Sequence, residues 1–325
     1  MIVVVSIPPL ATVQDLGRDG QWHQGLGRAG AMDALAHRVA NLLLDNDEAA
    51  ATLEIPLTPA RFRFDGDTAF SLAGAPCGAT LDGRALPRVW AGPARKGQVL
   101  ELGGMPTGAR VYLGLPGGID VPVILGSRST QLREAFGGHE GRVLEAGDRL
   151  TALRADTPSL PEGGLSLEMP PIRRDGQTAI TLRTLVSTEY DDFSEEARAA
   201  FWSTPFTVTP QSNRQGYRLE GATLKRQSAG ELRSHGIVPG IVQVPGGGAP
   251  IIQLADSATM GGYPKIAAVI AADLWRLGQA RAGDTLCFER IDPAAAADVD
   301  AALDRTLADW RTALSDVFRQ HESWT

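Results

Sequence analysis

Short apolar runs, each closed by glycine, proline or an acidic turn residue, make up most of the chain. MIVVVSIPPLATV is the first, and RFRFDGDTAFSLAG, KGQVLELGG, ARVYLGLPGG and GDTLCFERI repeat the pattern further along. Their β-branched and aromatic residues, bounded by turn residues, predict short strands in barrels or sandwiches. Helical periodicity is confined to a few places. Met32, Leu35, Val39, Leu42 and Leu43 share one face of a helix predicted from about Met32 to Leu44. Ser194, followed by Glu195 and Glu196, is a predicted N-cap with acids in the first turn. AADLWRLGQ predicts a third helix from about Ala272 to Gln279. Asp292 and Pro293 form a cap and first-turn pair. Beyond them Val299, Leu303, Leu307, Trp310, Leu314 and Val317 make one apolar stripe on a helix of about seven turns. Docking of that stripe on the chain's own barrel is the simpler expectation than a contact with a second chain.

The two halves echo each other. QDLGRDG is paralleled by QSNRQGY, GGIDVPVILGSRST by GGGAPIIQLADSAT, and LEAGDRLTAL by ARAGDTLCFE. The offsets differ, as in an ancient repeat with unequal insertions. A length of 325 residues fits two domains. The expected boundaries are a first domain over 1–155, a second over 156–291 and a C-terminal amphipathic helix over 292–325. The Pro- and Gly-rich stretch from Asp156 to Asp175 is the expected linker.

Charge and composition narrow the classes. With 31 basic against 38 acidic residues, the net charge of −7 argues against a general nucleic-acid or membrane-surface binder. Cys77 and Cys287 read as buried reduced thiols. No run of apolar residues is long enough to span a bilayer. The first segment lacks a basic leader and reads as a strand, so the cytoplasm is the expected location. There is no P-loop, no H-E-x-x-H, no paired C-x-x-C and no G-x-S-x-G. The five histidines are scattered, and no metal is expected.

Candidate chemistry therefore rests on polar, glycine-flanked loops. The first, TVQDLGRDGQWHQGLGRAGAMD, carries Gln14, Asp15, Arg18, His23 and Arg28; GSRSTQLREAFGG carries Ser127, Arg128, Ser129 and Arg133. TPQSNRQGYRLEG holds Gln211, Asn213, Arg214 and Tyr217, and SHGIVPGIVQVPGGG holds His235 and Gln243. DSATMGGYPK is the densest, with Asp256, Thr259, Tyr263 and Lys265 around a Gly-Gly turn stiffened by Pro264. Arginine offers a planar fork for carboxylates, and Gln and Asn match an amide or ureido group. A lysine beside a glycine turn suits an oxyanion or enolate, with Asp256 to orient it or act as a base. Each residue alone has a plainer reading as a turn cap or surface pair.

TVQDLGR, GAMD, GGIDVPVILGSRST, PQSNRQGYRLEG, GIVPGIVQVP and GGYPK, spread in order from about Thr12 to Phe288, together resemble the biotin-dependent carboxyltransferase family, also called allophanate hydrolase subunit 2. The resemblance implies a mainly β fold of two cyclophilin-like β-barrel domains, to which this chain adds its C-terminal helix. The positions that match the family's motifs and are expected to line the site are Lys265, Asp256 and Tyr263, read here as catalytic, and Arg128, Gln211, Asn213 and Arg214, read here as substrate-binding. Three activities fall within the family. One is a component of an ATP-dependent 5-oxoprolinase complex, converting 5-oxo-L-proline to L-glutamate, with ATP handled through the complex. Another is a carboxyltransferase passing carboxylate from carboxybiotin to urea or a related amide. The third is a non-enzymatic antagonist of a histidine-kinase inhibitor. The implied partners are a subunit-1-type protein (the B component of 5-oxoprolinase) and the A component of the same enzyme. The chain departs from the family pattern at Asn213, His235 and Met260, where Asp, Glu and Thr are the usual residues.

Overall fold

The computed structural model describes residues 1–156, 158–161, 163–173, 176–227 and 232–322. Positions 157, 162, 174 and 175 of the expected linker, and 323–325 of the expected C-terminal helix, lie outside the described residues. The chain forms two compact units. One comprises Met1–Arg18, Ala29–Pro170 and Thr306–Thr325; the other comprises Asp19–Arg28 and Pro171–Arg305.

The first unit is built on two antiparallel sheets. One runs Arg149–Leu150, Ile2–Ser6, Ala60–Phe64, Val99–Leu102, Thr80–Leu81, Arg84–Ala85; the other runs Thr12–Gln14, Thr52–Pro56, Arg110–Gly114, Thr68–Gly74, Trp90–Ala94. The strand Ala60–Phe64 shows the alternation its sequence predicts: Ala60, Phe62 and Phe64 are buried, while Arg61 and Arg63 face solvent. Thr68–Gly74 and Arg110–Gly114 are instead buried along their whole length. Helix α1, Ala34–Leu42, accounts for part of this by packing on them, and Ser71 Oγ donates to the Ala40 carbonyl at 2.6 Å. The helix begins later than its periodicity suggests because Asp33 is its N-cap, accepting from the Ala36 amide at 2.8 Å. Val13, Leu53, Phe62, Phe70 and Leu113 belong to one apolar core.

The second unit is a closed barrel of seven strands. Around it run Ile180–Val186, Lys265–Val269, Ile241–Gln243, Ile251–Gln253, Gly216–Glu220, Phe206–Val208 and Thr285–Arg290. Closure is made by the parallel pairing of Ile180–Val186 with Thr285–Arg290, which leaves no unpaired strand edge in the barrel. Helix α2, Glu195–Ser203, starts at Ser194 as predicted, and stacks Phe201 on Phe288 of the barrel at 4.4 Å. The third predicted helix is a 3₁₀ turn, Ala271–Asp273, running into α3, Leu274–Gly278. Asp273, buried at its start, takes a two-pronged contact from Arg183 at 2.9 and 2.7 Å.

Helix α4, Pro293–Glu322, is capped by Asp292, which accepts from the Ala295 amide at 2.9 Å. In the second unit its Ala296 clusters with Ile270 and Ala272, joined by Val299 and Leu303. Past residue 306 the buried positions are Leu307, Leu314 and Phe318. Phe318 takes the place expected for Val317, because a step of four from Leu314 keeps to the same helix face. The fold is thus mainly β with a C-terminal helix, as the sequence predicts. Strand pairing closes completely in the second unit. Both cysteines are free. Cys77 is buried, which pushes its thiol up to about 11. Cys287 is only half-buried, because it sits on the strand face opposite the inward-facing Leu286 and Phe288.

Candidate functional site

In the second unit the loops after Val208 and Gln253 are tied together. Arg214 sends Nε and Nη2 to the two carboxylate oxygens of Asp256 at 2.9 and 3.0 Å. The Asp256 amide returns a bond to the Arg214 carbonyl at 3.0 Å, and the Leu254 amide donates to the Gln215 carbonyl at 3.1 Å. Only 8% of the Arg214 side chain and 12% of that of Asp256 are exposed. A fork of this geometry fixes the guanidinium plane and engages both carboxylate oxygens. Asn213, in the same turn, accepts from the Gln215 amide at 2.8 Å through Oδ1, and Gln211 is exposed.

Lys265 opens the barrel strand that follows the Gly-Gly turn, opposite Gln243 across an irregular register. Its side chain is buried, with 5% of the residue exposed. Its backbone amide donates to Glu189 Oε2 at 3.0 Å; among the described residues its ammonium has neither a hydrogen-bond acceptor nor an ion-pair partner. A buried stem that carries an ammonium with no protein anion leaves that charge available to a ligand. Beside it, Gln253 Nε2 donates to Gln243 Oε1 at 2.9 Å, and Gln243 Nε2 donates to the Tyr263 carbonyl at 3.3 Å. Gly261 leaves room for this amide, since a Cβ there would stand 2.7 Å from Gln243 Nε2 and push it aside. His235 pairs with Gly261 in a two-stranded ribbon, donates from Nδ1 to the Arg233 carbonyl at 2.8 Å, and turns Nε2 towards Glu189 Oε1 at 3.7 Å. Glu189 thus touches both the Lys265 backbone and His235. Sequence reasoning missed Glu189 and Gln253, since neither sits in a glycine-flanked loop.

Tyr263 is half exposed, and the turn from Gly262 to Pro264 forms one wall of a cavity of about 770 Å³ within the second unit. Arg214, Asp256 and Lys265 do not line it.

Arg128 lies in the first unit. Its amide donates to Asp15 Oδ2 and its Nη1 to the Val121 carbonyl, both at 2.5 Å. Asp15 is the hub of that loop, also accepting from the Gly17 amide at 2.8 Å and from the hydroxyls of Ser127 and Ser129 at 2.7 and 2.5 Å. Arg18 is fully buried beside it, donating to the carbonyls of Ile124 and Ser129 and stacked 4.7 Å from the Phe136 ring. Burial lowers its pKa, opposed by the nearby Asp15. The structure therefore brings Arg214, Asp256, Tyr263 and Lys265 into two adjoining loops of the barrel unit, with Gln211 and Asn213 in the same turn as Arg214. Arg128 belongs to a separate loop cluster. Among the described residues no group of His, Cys, Asp or Glu has the spacing to hold a metal ion. None of the described helices is long and apolar enough to cross a membrane.

Two β units, one a closed barrel presenting a buried lysine beside a glycine turn, define the class of protein in which the chain falls. The sequence model of the carboxyltransferase domain, subdomains A and B, matches residues 24–290, and the chain belongs to that family. It is 42% identical to the C component of 5-oxoprolinase from Escherichia coli K12 over 288 residues, covering 89% of this chain and 90% of that protein. The corresponding 5-oxoprolinase component of Haemophilus influenzae is 39% identical over 291 residues, 90% of this chain and 91% of that one. Urea amidolyase of Saccharomyces cerevisiae is 32% identical over 300 residues, 88% of this chain but 16% of its own length. Among solved structures, the crystal structure of K. lactis urea amidolyase superposes with a TM-score of 0.86 at 28% identity, covering 95% of this chain and 20% of that one. These relatives are enzymes or components of enzymes, and this chain is an enzyme component of the same family.

Proposed function

We propose that the chain is the C component of an ATP-dependent 5-oxoprolinase, opening the lactam of 5-oxo-L-proline to L-glutamate. The observation that carries this reading is the 42% identity to the Escherichia coli protein over 89% of this chain and 90% of that one. The chemistry of the barrel loops supports it. A lactam carbonyl gains negative charge as its C–N bond is attacked, and the unpaired Lys265 ammonium is suited to stabilise that charge. The Arg214–Asp256 pair fixes the turn that carries Gln211 and Asn213 against the loop leading to Lys265, so both residues act by positioning. Tyr263 supplies a hydroxyl at the turn. Gln211 and Asn213, in the same turn as Arg214, complete the proposed amide and carboxylate recognition. ATP is handled elsewhere in the assembly, by partners corresponding to the A and B components of 5-oxoprolinase, the latter the subunit-1-type protein.

A second reading is favoured by the likeness to urea amidolyase: transfer of carboxylate from carboxybiotin, on a separate carrier, to urea or a related amide. The test reconstitutes the chain with its copurifying partners and measures 5-oxoproline-dependent ATP hydrolysis together with glutamate release. Activity in the complex and none in the chain alone is the expected result. An inactive complex containing a biotinylated protein would move the assignment to carboxyl transfer. An inactive complex without biotin would overturn both.

A further inference from the structure

The 770 Å³ cavity of the second unit is formed by residues that the proposed reaction leaves unused, Tyr263 excepted. Its volume falls in the range of small-molecule sites and far exceeds what a single five-membered lactam fills. Phe193, Leu224, Val244 and Pro245 give it apolar walls, and Phe193, Leu224 and Val244 are themselves nearly shut from solvent. Tyr263 and Pro264 add an exposed ring and a rigid edge. Among the described residues, the ionisable side chains that line it besides Tyr263 are both cationic: Lys225 and Arg226. Arg226 is already engaged, donating to Asp192 Oδ2 at 2.9 Å. Lys225 is exposed, its carbonyl accepts from the Ser194 amide at 3.0 Å, and among the described residues its ammonium has no partner. No carboxylate of the described residues lines the cavity.

We infer that this cavity is a second ligand site, for a small organic anion carrying an apolar ring. The ring lies between the apolar wall and Tyr263, and the anionic group meets Lys225. Such a ligand does not compete for Lys265 or the Arg214–Asp256 pair. Its occupancy nonetheless reaches the barrel strand, because the Val244 amide donates to the Pro264 carbonyl at 2.8 Å, one residue before Lys265. The site is defined by binding, so its test stands apart from the 5-oxoprolinase reading.

The probes are 8-anilinonaphthalene-1-sulfonate and its uncharged counterpart N-phenyl-1-naphthylamine, titrated by fluorescence against the full chain. Two variants accompany the wild type. Gly246 lines the cavity, and a Cβ built on it meets nothing within 4 Å, so Gly246→Trp fills the space without strain at the backbone. Lys225→Glu reverses the charge at an exposed position. The wild type is expected to bind the sulfonate saturably and about tenfold more tightly than the neutral probe, the worth of one charge-assisted contact. Lys225→Glu should abolish that preference, and Gly246→Trp should weaken both probes, with far-ultraviolet circular dichroism and the unfolding midpoint unchanged. Three results would each overturn the site: no saturable binding, equal affinity for the two probes, or binding indifferent to Gly246→Trp in a folded variant.

Discussion

Lys265 is the most informative single residue, because its stem is buried in the barrel wall while its ammonium has no anion among the described residues. Lys265→Met keeps the length and apolar stem while removing the charge. We expect its unfolding midpoint to equal or exceed that of the wild type and the turnover of the assembled complex to fall by about a hundredfold, the scale of losing one charge-stabilising donor. Undiminished turnover would remove Lys265 from the mechanism. Asp256 should behave in the opposite sense. Asp256→Ala leaves Arg214 buried without its carboxylate, at a cost of about 3 kcal/mol measured by urea unfolding; a cost near zero would show that the pair is solvated. His37 gives a third test. It is buried in the first unit against Thr52, and desolvation holds its pKa at about 4, below the ordinary 6.5. The unfolded chain therefore binds this proton first. The His37 contribution is intact above about pH 6.5, declines as pH falls towards 4, and costs about 3 kcal/mol once that window is crossed. His37→Gln should flatten stability over that pH window; an unchanged slope would assign the loss to other groups. Of these residues, the sequence marks Lys265 and Asp256 by the unusual density of features in DSATMGGYPK. It gives no warning about His37, whose burial depends on α1 lying over the strands, a long-range fact.

At the scale of elements, the glycine turn and the Gln243–Gln253 pair act as one piece. Gly261 leaves room for Gln243 to reach both Gln253 and the Tyr263 carbonyl. Gly261→Ala forces that amide aside by its flexible end. We expect unfolding free energy within about 1 kcal/mol of wild type, since side-chain amides can relax, together with a severalfold loss of turnover. A loss of stability without loss of turnover would make the turn purely structural. Most elements are legible in the sequence. Ala60–Phe64 alternates strictly, and Ser194 and Asp292 cap the helices they are expected to cap. What local pattern leaves open is where a face is covered on both sides, as in Thr68–Gly74, and which of Val317 and Phe318 turns inward. Glu189 is not legible at all. It acts on the Lys265 amide across 76 positions of chain, a pairing set by the barrel's register and not by anything near Glu189 in sequence.

At the scale of the whole molecule, the units are not contiguous stretches. The first is assembled from three segments and the second from two. Internal echoes and a Pro-rich stretch suggest two domains, but they carry no information about segments exchanged between them, because each local pattern is satisfied in either unit. A chain truncated after residue 305 tests the role of the returning segment. It lacks Leu307, Leu314 and Phe318, so the first unit should lose on the order of 5 kcal/mol, seen as an earlier unfolding transition of Trp90. A transition at the wild-type position would show that the segment is dispensable.

Segment order also sets a timetable for synthesis. Residues 171–305 leave the ribosome before 306–322 do, so the barrel can close while the first unit is still missing part of its cover. During that interval the apolar surface meant for Leu307, Leu314 and Phe318 is bare, at the stage when nascent chains are most prone to aggregate. The unit begun first is thus finished later, and a chain stalled before residue 306 would be a natural client for a chaperone.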